Sequence, residues 1–392
     1  MESYSMKVRM VISITLIFII VFGVNGYIGW HGQVFLSNQL GSWFHPALYW
    51  VVFWIIALSY LLAWVSSRVL PAGVSRLLKI IGSYWFAIMQ IGVLLLPLTD
   101  LAIGVFHLAS IPSNTYVPIL GWINVGIILI AMIRGSYNAR SPVIRRYDIR
   151  VPKKAGDWEQ LRIAVASDIH LGSIVGNRHL RKLVEQVNGL KPDLILLPGD
   201  VIDDDIKPFI RYNMGKTMRE LQAPLGIYAV LGNHEYIGGH IPAFVEQMKQ
   251  IGIRVLMDET VHIKERLYIV GRKDKAAERR PDGRKALAAL LEGTDSRQPI
   301  IVMDHQPYHL DKAADAGADV MLSGHTHRGQ MAPNHLITRR LFELDWGYLR
   351  KGNLHAIVSS GFGTWGPPIR LGSRSEIIEL NIHFKSNERE EG

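Results

Sequence analysis

Apolar residues fill the first 133 positions in long runs, and after about position 158 they fall into short β-branched runs that end in polar clusters. From Met10 to Ser67 there is no Asp, Glu, Lys or Arg. That stretch is too long for one bilayer crossing and suits two, each of about 20 residues. The pattern predicts spans at 10–29 and 47–66, with Trp30, Trp43, Phe44, Tyr49 and Trp50 forming an aromatic belt at one interface. Two further apolar runs predict spans at 80–98 and 117–133, with Pro112, Asn114 and Pro118 marking the break between them.

Beyond the spans the pattern reads as alternating strands and helices. Residues 161–166, 194–197, 227–231, 268–271, 300–303, 320–322 and 355–359 have the short buried runs of strands, and 177–189 and 242–251 the periodicity of amphipathic helices. This predicts an α/β domain in which strands deliver polar motifs at their C-terminal ends, where open α/β sheets bind ligands.

Charge sharpens the division. The first 133 positions hold seven charged residues, Glu2, Lys7, Arg9, Arg68, Arg76, Lys79 and Asp100, and the remaining 259 hold 70. The expected organisation is a transmembrane anchor at 1–133, a basic linker at 134–157, a catalytic domain at 158–384 and a polar tail at 385–392. The basic residues flank alternate ends of the spans: Lys7 and Arg9 before the first, Arg68, Arg76 and Lys79 between the second and third, and Arg134, Arg140, Arg145, Arg146 and Arg150 after the fourth. The positive-inside asymmetry therefore predicts a cytoplasmic N-terminus, middle loop and catalytic domain. The net charge of +9 reads as this topology signal, and no nucleic-acid partner is expected. His31, His45 and His107 fall at interfacial positions and read as structural. The scarcity of Asp, Glu, Lys and Arg within the spans argues against an ion or solute pathway and for an anchor.

The chain has no cysteine, which excludes disulfides, thiolate metal sites and cysteine nucleophiles. A metal here must use His, Asp, Glu, Asn or backbone oxygen. Five motifs offer such groups in order: Asp168-Ile-His170, Gly199-Asp200-Val-Ile-Asp203, Gly232-Asn233-His234-Glu235, His305, and Gly324-His325-Thr-His327. Residues two apart in an extended segment point to one face, so Asp168 with His170, and His325 with His327, are each able to hold a cation. Asp200 has two oxygens with which to bridge two metals, and Asn233 offers a neutral one.

Together these motifs resemble the calcineurin-like binuclear metallophosphoesterases, over about 158–384, with a nearer likeness to bacterial membrane-attached members related to UDP-2,3-diacylglucosamine pyrophosphatases. The resemblance implies a pair of facing β-sheets flanked by helices. It implies one metal on Asp168, His170, Asp200 and His327, a second on Asp200, Asn233, His305 and His325, and a catalytic His234 oriented by Asp203. It also implies residence in a bacterial cell membrane. Arg328 departs from the family, where glycine often follows the last ligand; Arg328, like Arg370 in the Gly/Pro-rich loop 361–370, is a candidate phosphate contact. Asp304 beside His305 is a candidate for orienting a ligand.

The residue types fit the chemistry. Two cations sharing a hydroxide polarise a phosphoryl group and offset charge in an in-line displacement, and His234 assists the leaving oxygen. Mixed O and N ligands suit Mn, Fe or Zn, with Mn favoured. The expected function is a membrane-anchored phosphoesterase cleaving a phosphodiester or pyrophosphate in a lipid-linked or membrane-proximal substrate. The segment 336–350, basic and bulky-apolar, reads either as a membrane-facing surface or as a solvated cap. Two alternatives are a tethered phosphatase for soluble nucleotides or phosphoproteins, and a membrane sensor with a non-catalytic metal domain. The complete ligand set argues against the last.

Overall fold

The apolar runs near the N-terminus are mostly helical in the computed structural model, which describes residues 2–66 and 69–386. Arg68 and the end of the expected polar tail, 387–392, lie outside the described residues. The helices are α1 (Glu2–Leu40), α2 (Pro46–Ala57), α3 (Ser59–Val65), α4 (Ala72–Leu108) and α5 (Ser113–Arg140). Segments 15–43, 72–108 and 113–140 are long and apolar enough to cross a membrane. The expected span at 47–66 is instead two helices bent by 60°, so among the described residues there are three such helices, or four if the bent pair counts as one span. The bend has a local cause. The Ser59 hydroxyl donates to the Ile56 carbonyl at 2.7 Å, a side-chain bond that competes with the helical ladder.

The chain divides into two compact units, residues 1–134 and 135–392. In the first, part of the expected aromatic belt bonds between helices: the Tyr49 hydroxyl donates to the Gly29 carbonyl at 2.7 Å and Trp50 Nε1 to Gln33 Oε1 at 2.6 Å. Trp30 and Trp43 remain exposed. His31 Nε2 lies 3.2 Å from Asp100 Oδ1, and the Tyr27 hydroxyl donates to the same carboxylate.

The second unit is built on two six-stranded sheets. One runs in the order β1 (Val143–Val151), β12 (Glu376–Phe384), β2 (Gln160–Val165), β3 (Leu194–Pro198), β4 (Ile227–Val230) and β5 (Ile253–Leu256). The other runs β10 (Gly347–Lys351), β11 (Leu354–Val358), β9 (Val320–Ser323), β8 (Ile300–Met303), β7 (Leu267–Gly271) and β6 (Glu259–Ile263). Period-two alternation explains the layers. In β2, Ile163 and Val165 face the other sheet, where they join Ile269, Ile301 and Leu322 in a central core. Ala164 faces outward onto helix α6 (Asn177–Gly189) and its Leu180, Leu183 and Val187. A third cluster covers the outer face of the second sheet, with Val302 and Met321 against Leu287, Leu290 and Leu310. Both faces of both sheets are covered, so β3, β8 and β9 are buried along their whole length. The two-sheet sandwich flanked by helices is the architecture that the resemblance implied.

Residues 134–157, expected as a basic linker, carry the end of α5 and strand β1. Its arginines are compatible with a strand because they pair across to β12: Arg145 Nε donates to Glu376 and Arg146 Nε to Glu379, each at 2.6 Å.

Candidate metal centre

The strand ends assemble the site. Asp168 and His170 follow β2, Asp200 follows β3, Asn233 and His234 open the short helix Asn233–Gly238 after β4, His305 follows β8, and His325 and His327 follow β9. The two sheets bring these ends together and tie them directly. His305 Nδ1 donates to the Pro198 carbonyl at 2.8 Å, and the His325 amide donates to Asp168 Oδ1 at 2.9 Å. Because a carbonyl only accepts, the first bond puts a proton on His305 Nδ1 and turns its Nε2 toward Asp200.

Among the described residues His170, Asp203 and His234 form one close group, and the two groups that hold the expected ligands are Asp168 with His170 and His327, and Asp200 with His305 and His325, the candidate ligand atoms of each lying within 4.8 Å of one another. Asp200 joins them. Its Oδ2 is 3.1 Å from His305 Nε2 and 3.9 Å from His170 Nε2. Asn233 Oδ1 lies 2.8 Å from His325 Nδ1 and 3.1 Å from His305 Nε2, which places it with the second group. In the first, His170 Nε2 and His327 Nε2 are 3.0 Å apart, and His327 Nε2 is 3.5 Å from Asp168 Oδ1.

The backbone is bent hard to achieve this. Asp168, His170, Asp200, His325 and His327 all have φ between 49° and 69°, a left-handed conformation that is uncommon outside glycine and gathers at functional sites. The motif glycines serve the same crowding: a Cβ on Gly232 would overlap Asp200, and one on Gly324 would overlap Ser167 and Asp168. Glu235 supports the bridge, accepting the amides of Gly232 at 2.7 Å, Ile202 at 3.0 Å and Asp200 at 3.2 Å.

The residues fit a pair of cations. Asp168 and Asp200 are both buried, and the side-chain nitrogens turned toward them are imidazoles rather than those of Lys or Arg. Buried carboxylates so placed need positive charge. Burial pushes the His170 and His325 imidazoles down to about 3 and holds His327 well below the ordinary histidine value, so these rings are neutral and ready to ligate. Burial likewise pushes Asp168 up to about 6, with His305 opposing.

His234 lies beside this centre, its ring 4.6 Å from that of His170. Its expected partner Asp203 is 3.6 Å from Nδ1, but Asp204 is nearer, at 2.7 Å, an ion-pair contact without the alignment of a hydrogen bond. Burial opposes a charge on His234, yet Asp204, Asp200 and Asp203 outweigh it and raise the ring to about 9.

A cavity of about 420 Å3 opens over the centre, lined by Asp200, Asp204, Asn233, His234, Ile237, His325, Thr326, His327, Gly329, Gln330 and Trp365. Neither arginine expected as a phosphate contact lines it. Arg370 is fully buried, and its Nη2 donates to the carbonyls of Gly361 at 3.0 Å and Gly363 at 2.7 Å while lying 3.4 Å from His327 Nδ1. It braces the loop behind His327. Arg328 stacks on the Trp346 ring at 3.9 Å, a ring shared with Arg145 at 4.6 Å. Asp304 is buried and receives both Arg272, at 2.6 Å, and Arg284, a structural role beside His305. Sequence reasoning missed Asp204, Gln330 and Trp365. Of these only Trp365 left a signal, a large aromatic in a loop otherwise rich in Gly and Pro.

Two adjoining carboxylate–imidazole clusters at the strand ends of a two-sheet sandwich make a candidate metal centre. Residues 161–329 match the family model of the calcineurin-like phosphoesterases. An uncharacterized metallophosphoesterase of Aquifex aeolicus (strain VF5) is 33% identical over 270 residues, covering 66% of this chain and 99% of that protein. The chain belongs to the metallophosphoesterase family. A zebrafish protein described as a transmembrane protein with metallophosphoesterase domain is 29% identical over 253 residues, which are 62% of this chain and 57% of the relative. The chain thus spans nearly all of the Aquifex relative but little more than half of the zebrafish one. Among solved structures, one from Thermus thermophilus matches 51% of this chain and 89% of its own, at 14% identity and a TM-score of 0.36.

Proposed function

We propose that this chain is a membrane-anchored dinuclear metallophosphoesterase that cleaves a phosphodiester or pyrophosphate bond in a lipid-linked or membrane-proximal substrate at the cytoplasmic face. The observation that carries the reading is the joining of two ligand groups by Asp200, within reach of both His305 and His170. Asp168, His170, Asp200 and His327 would hold one cation, and Asp200, Asn233, His305 and His325 the other. The donor set of oxygens and imidazoles suits Mn, with Fe and Zn as alternatives. Bound there, the two cations supply the Lewis acidity that activates water and offsets phosphoryl charge.

The protein's own groups do the rest. Asp204, Asp200 and Asp203 raise the pKa of His234, and its ring lines the cavity over the centre, where its protonated form would give a proton to the leaving oxygen. Asp204 and Asp203 hold that charge in place. Among the described residues no Lys or Arg lines the cavity, so the substrate phosphate depends on His234 and on the cations for positive charge. The apolar rim, with Ile237 and Trp365 both exposed, favours an amphiphilic substrate over a soluble nucleotide.

The test is hydrolysis of bis-p-nitrophenyl phosphate by the purified full-length chain with Mn, beside Asp200→Ala and His234→Ala. Each substitution is expected to lower kcat/KM by about a hundredfold or more. Full activity in both would remove the site assignment.

A further inference from the structure

From Val143 onward, eight large apolar side chains are exposed among the described residues. Five of them, Ile237, Leu336, Ile337, Leu341 and Trp365, belong to the lining of the catalytic cavity or to the helix beside it. Ile237 and Trp365 line it. The other three sit on the helix His335–Leu341, which packs against the same walls at both ends. Its start crowds Gly329, where a Cβ would overlap the backbone of Asn334 and His335. At its far end Phe342 meets the His325 ring edge-on, with centroids 6.0 Å apart.

The helix has the reverse of a normal surface pattern. Thr338 turns inward and its hydroxyl donates to Asp345 at 2.7 Å, while Leu336, Ile337 and Leu341 stand about 60% exposed with Arg339 and Arg340 beside them. A contiguous exposed apolar patch marks an interaction site. Aliphatic residues interleaved with arginines and a neighbouring tryptophan are the composition of a segment lying in a bilayer interface. Only Ser141 and Pro142 separate the end of α5 from β1.

We propose that the helix His335–Leu341, together with Ile237 and Trp365, docks into the interface of an anionic bilayer and opens the catalytic cavity onto it. The occupant of the patch is the membrane surface, and a substrate reaches the metal centre from the lipid side. The inference rests on the membrane-anchored reading above, and it is independent of which ester is cleaved.

The absence of cysteine makes a direct test available, because one introduced thiol carries one label. Ile337→Cys and Leu341→Cys, made separately, are labelled with a nitrobenzoxadiazole dye in the full-length chain, in nanodiscs of phosphatidylcholine and phosphatidylglycerol. Arg297→Cys is the control, since Arg297 precedes β8 and so lies at the end of the sheet opposite the site. Headgroup-spin-labelled lipid is expected to quench about half or more of the fluorescence at 337 and 341 and to leave 297 at background. Quenching at 337 and 341 no greater than at 297, in variants whose thermal unfolding is unchanged, overturns the proposal. Quenching in a chain that hydrolyses nothing would leave docking intact and remove the phosphoesterase reading instead.

Discussion

At the scale of single residues, motif spacing singled out the side chains that the two sheets bring together as a candidate centre, and side-chain packing decided what surrounds them. Asp168, His170, Asp200, Asn233, His305, His325 and His327 were legible because a strand-end motif fixes both the residue type and the position of its backbone. Asp204 was not, since residues 203–205 are three consecutive carboxylates and only the turn after β3 selects the one that meets His234. Arg370 and Arg328 were misread for a related reason: an arginine near a phosphate site suggests a clamp, but one is taken up by backbone carbonyls and the other by an indole. The His234 pair gives a test with a sign. Asp204 holds the proton on His234, so Asp204→Asn lets the ring lose it at lower pH. The alkaline limb of kcat/KM against pH should move down, and further than in Asp203→Asn. The opposite order would return the orienting role to Asp203.

At the scale of elements, legibility followed burial. The four-residue runs of β8 and β9 announce themselves because both faces are covered, whereas β1 read as a linker because its arginines find their acids on β12, more than 200 residues away. Helix α6 carries a buried histidine at its docking face, which makes the effect of protonation testable. His179 stacks on Phe362 at 4.3 Å, and its Nε2 lies 3.4 Å from that residue's carbonyl, in the loop braced by Arg370. Burial, with help from Lys182, Arg370 and Arg140, lowers its pKa from 6.5 to about 4. As pH falls below 6.5 the unfolded chain takes up a proton that the folded chain refuses until about pH 4, so stability is lost as pH drops through that window. His179→Phe keeps the stack and removes the titration. Chemical denaturation should show a smaller loss of stability across the window in the variant than in the parent, and an equal loss would exclude His179 as a contributor.

At the scale of the whole molecule, the bend between α2 and α3 decides where the catalytic unit resides. If the bent pair crosses the membrane, there are four crossings, and Lys7 with Arg9, Arg76 with Lys79, and Arg134 with Arg140 all fall on one side. If it is a re-entrant loop there are three, and Arg76, Lys79 and everything after α5 lie opposite Lys7 and Arg9. Short loops rich in Lys and Arg stay cytoplasmic, so the first arrangement satisfies every basic cluster and the second splits them. The charge-poor loop at 109–112, between α4 and α5, then faces outward. An alkaline phosphatase reporter, active only outside the cytoplasm, should therefore work when fused after Ser110 and be silent when fused after the C-terminus. The reverse pair of results would make the bent helices a re-entrant loop and place phosphoester hydrolysis on the outer face.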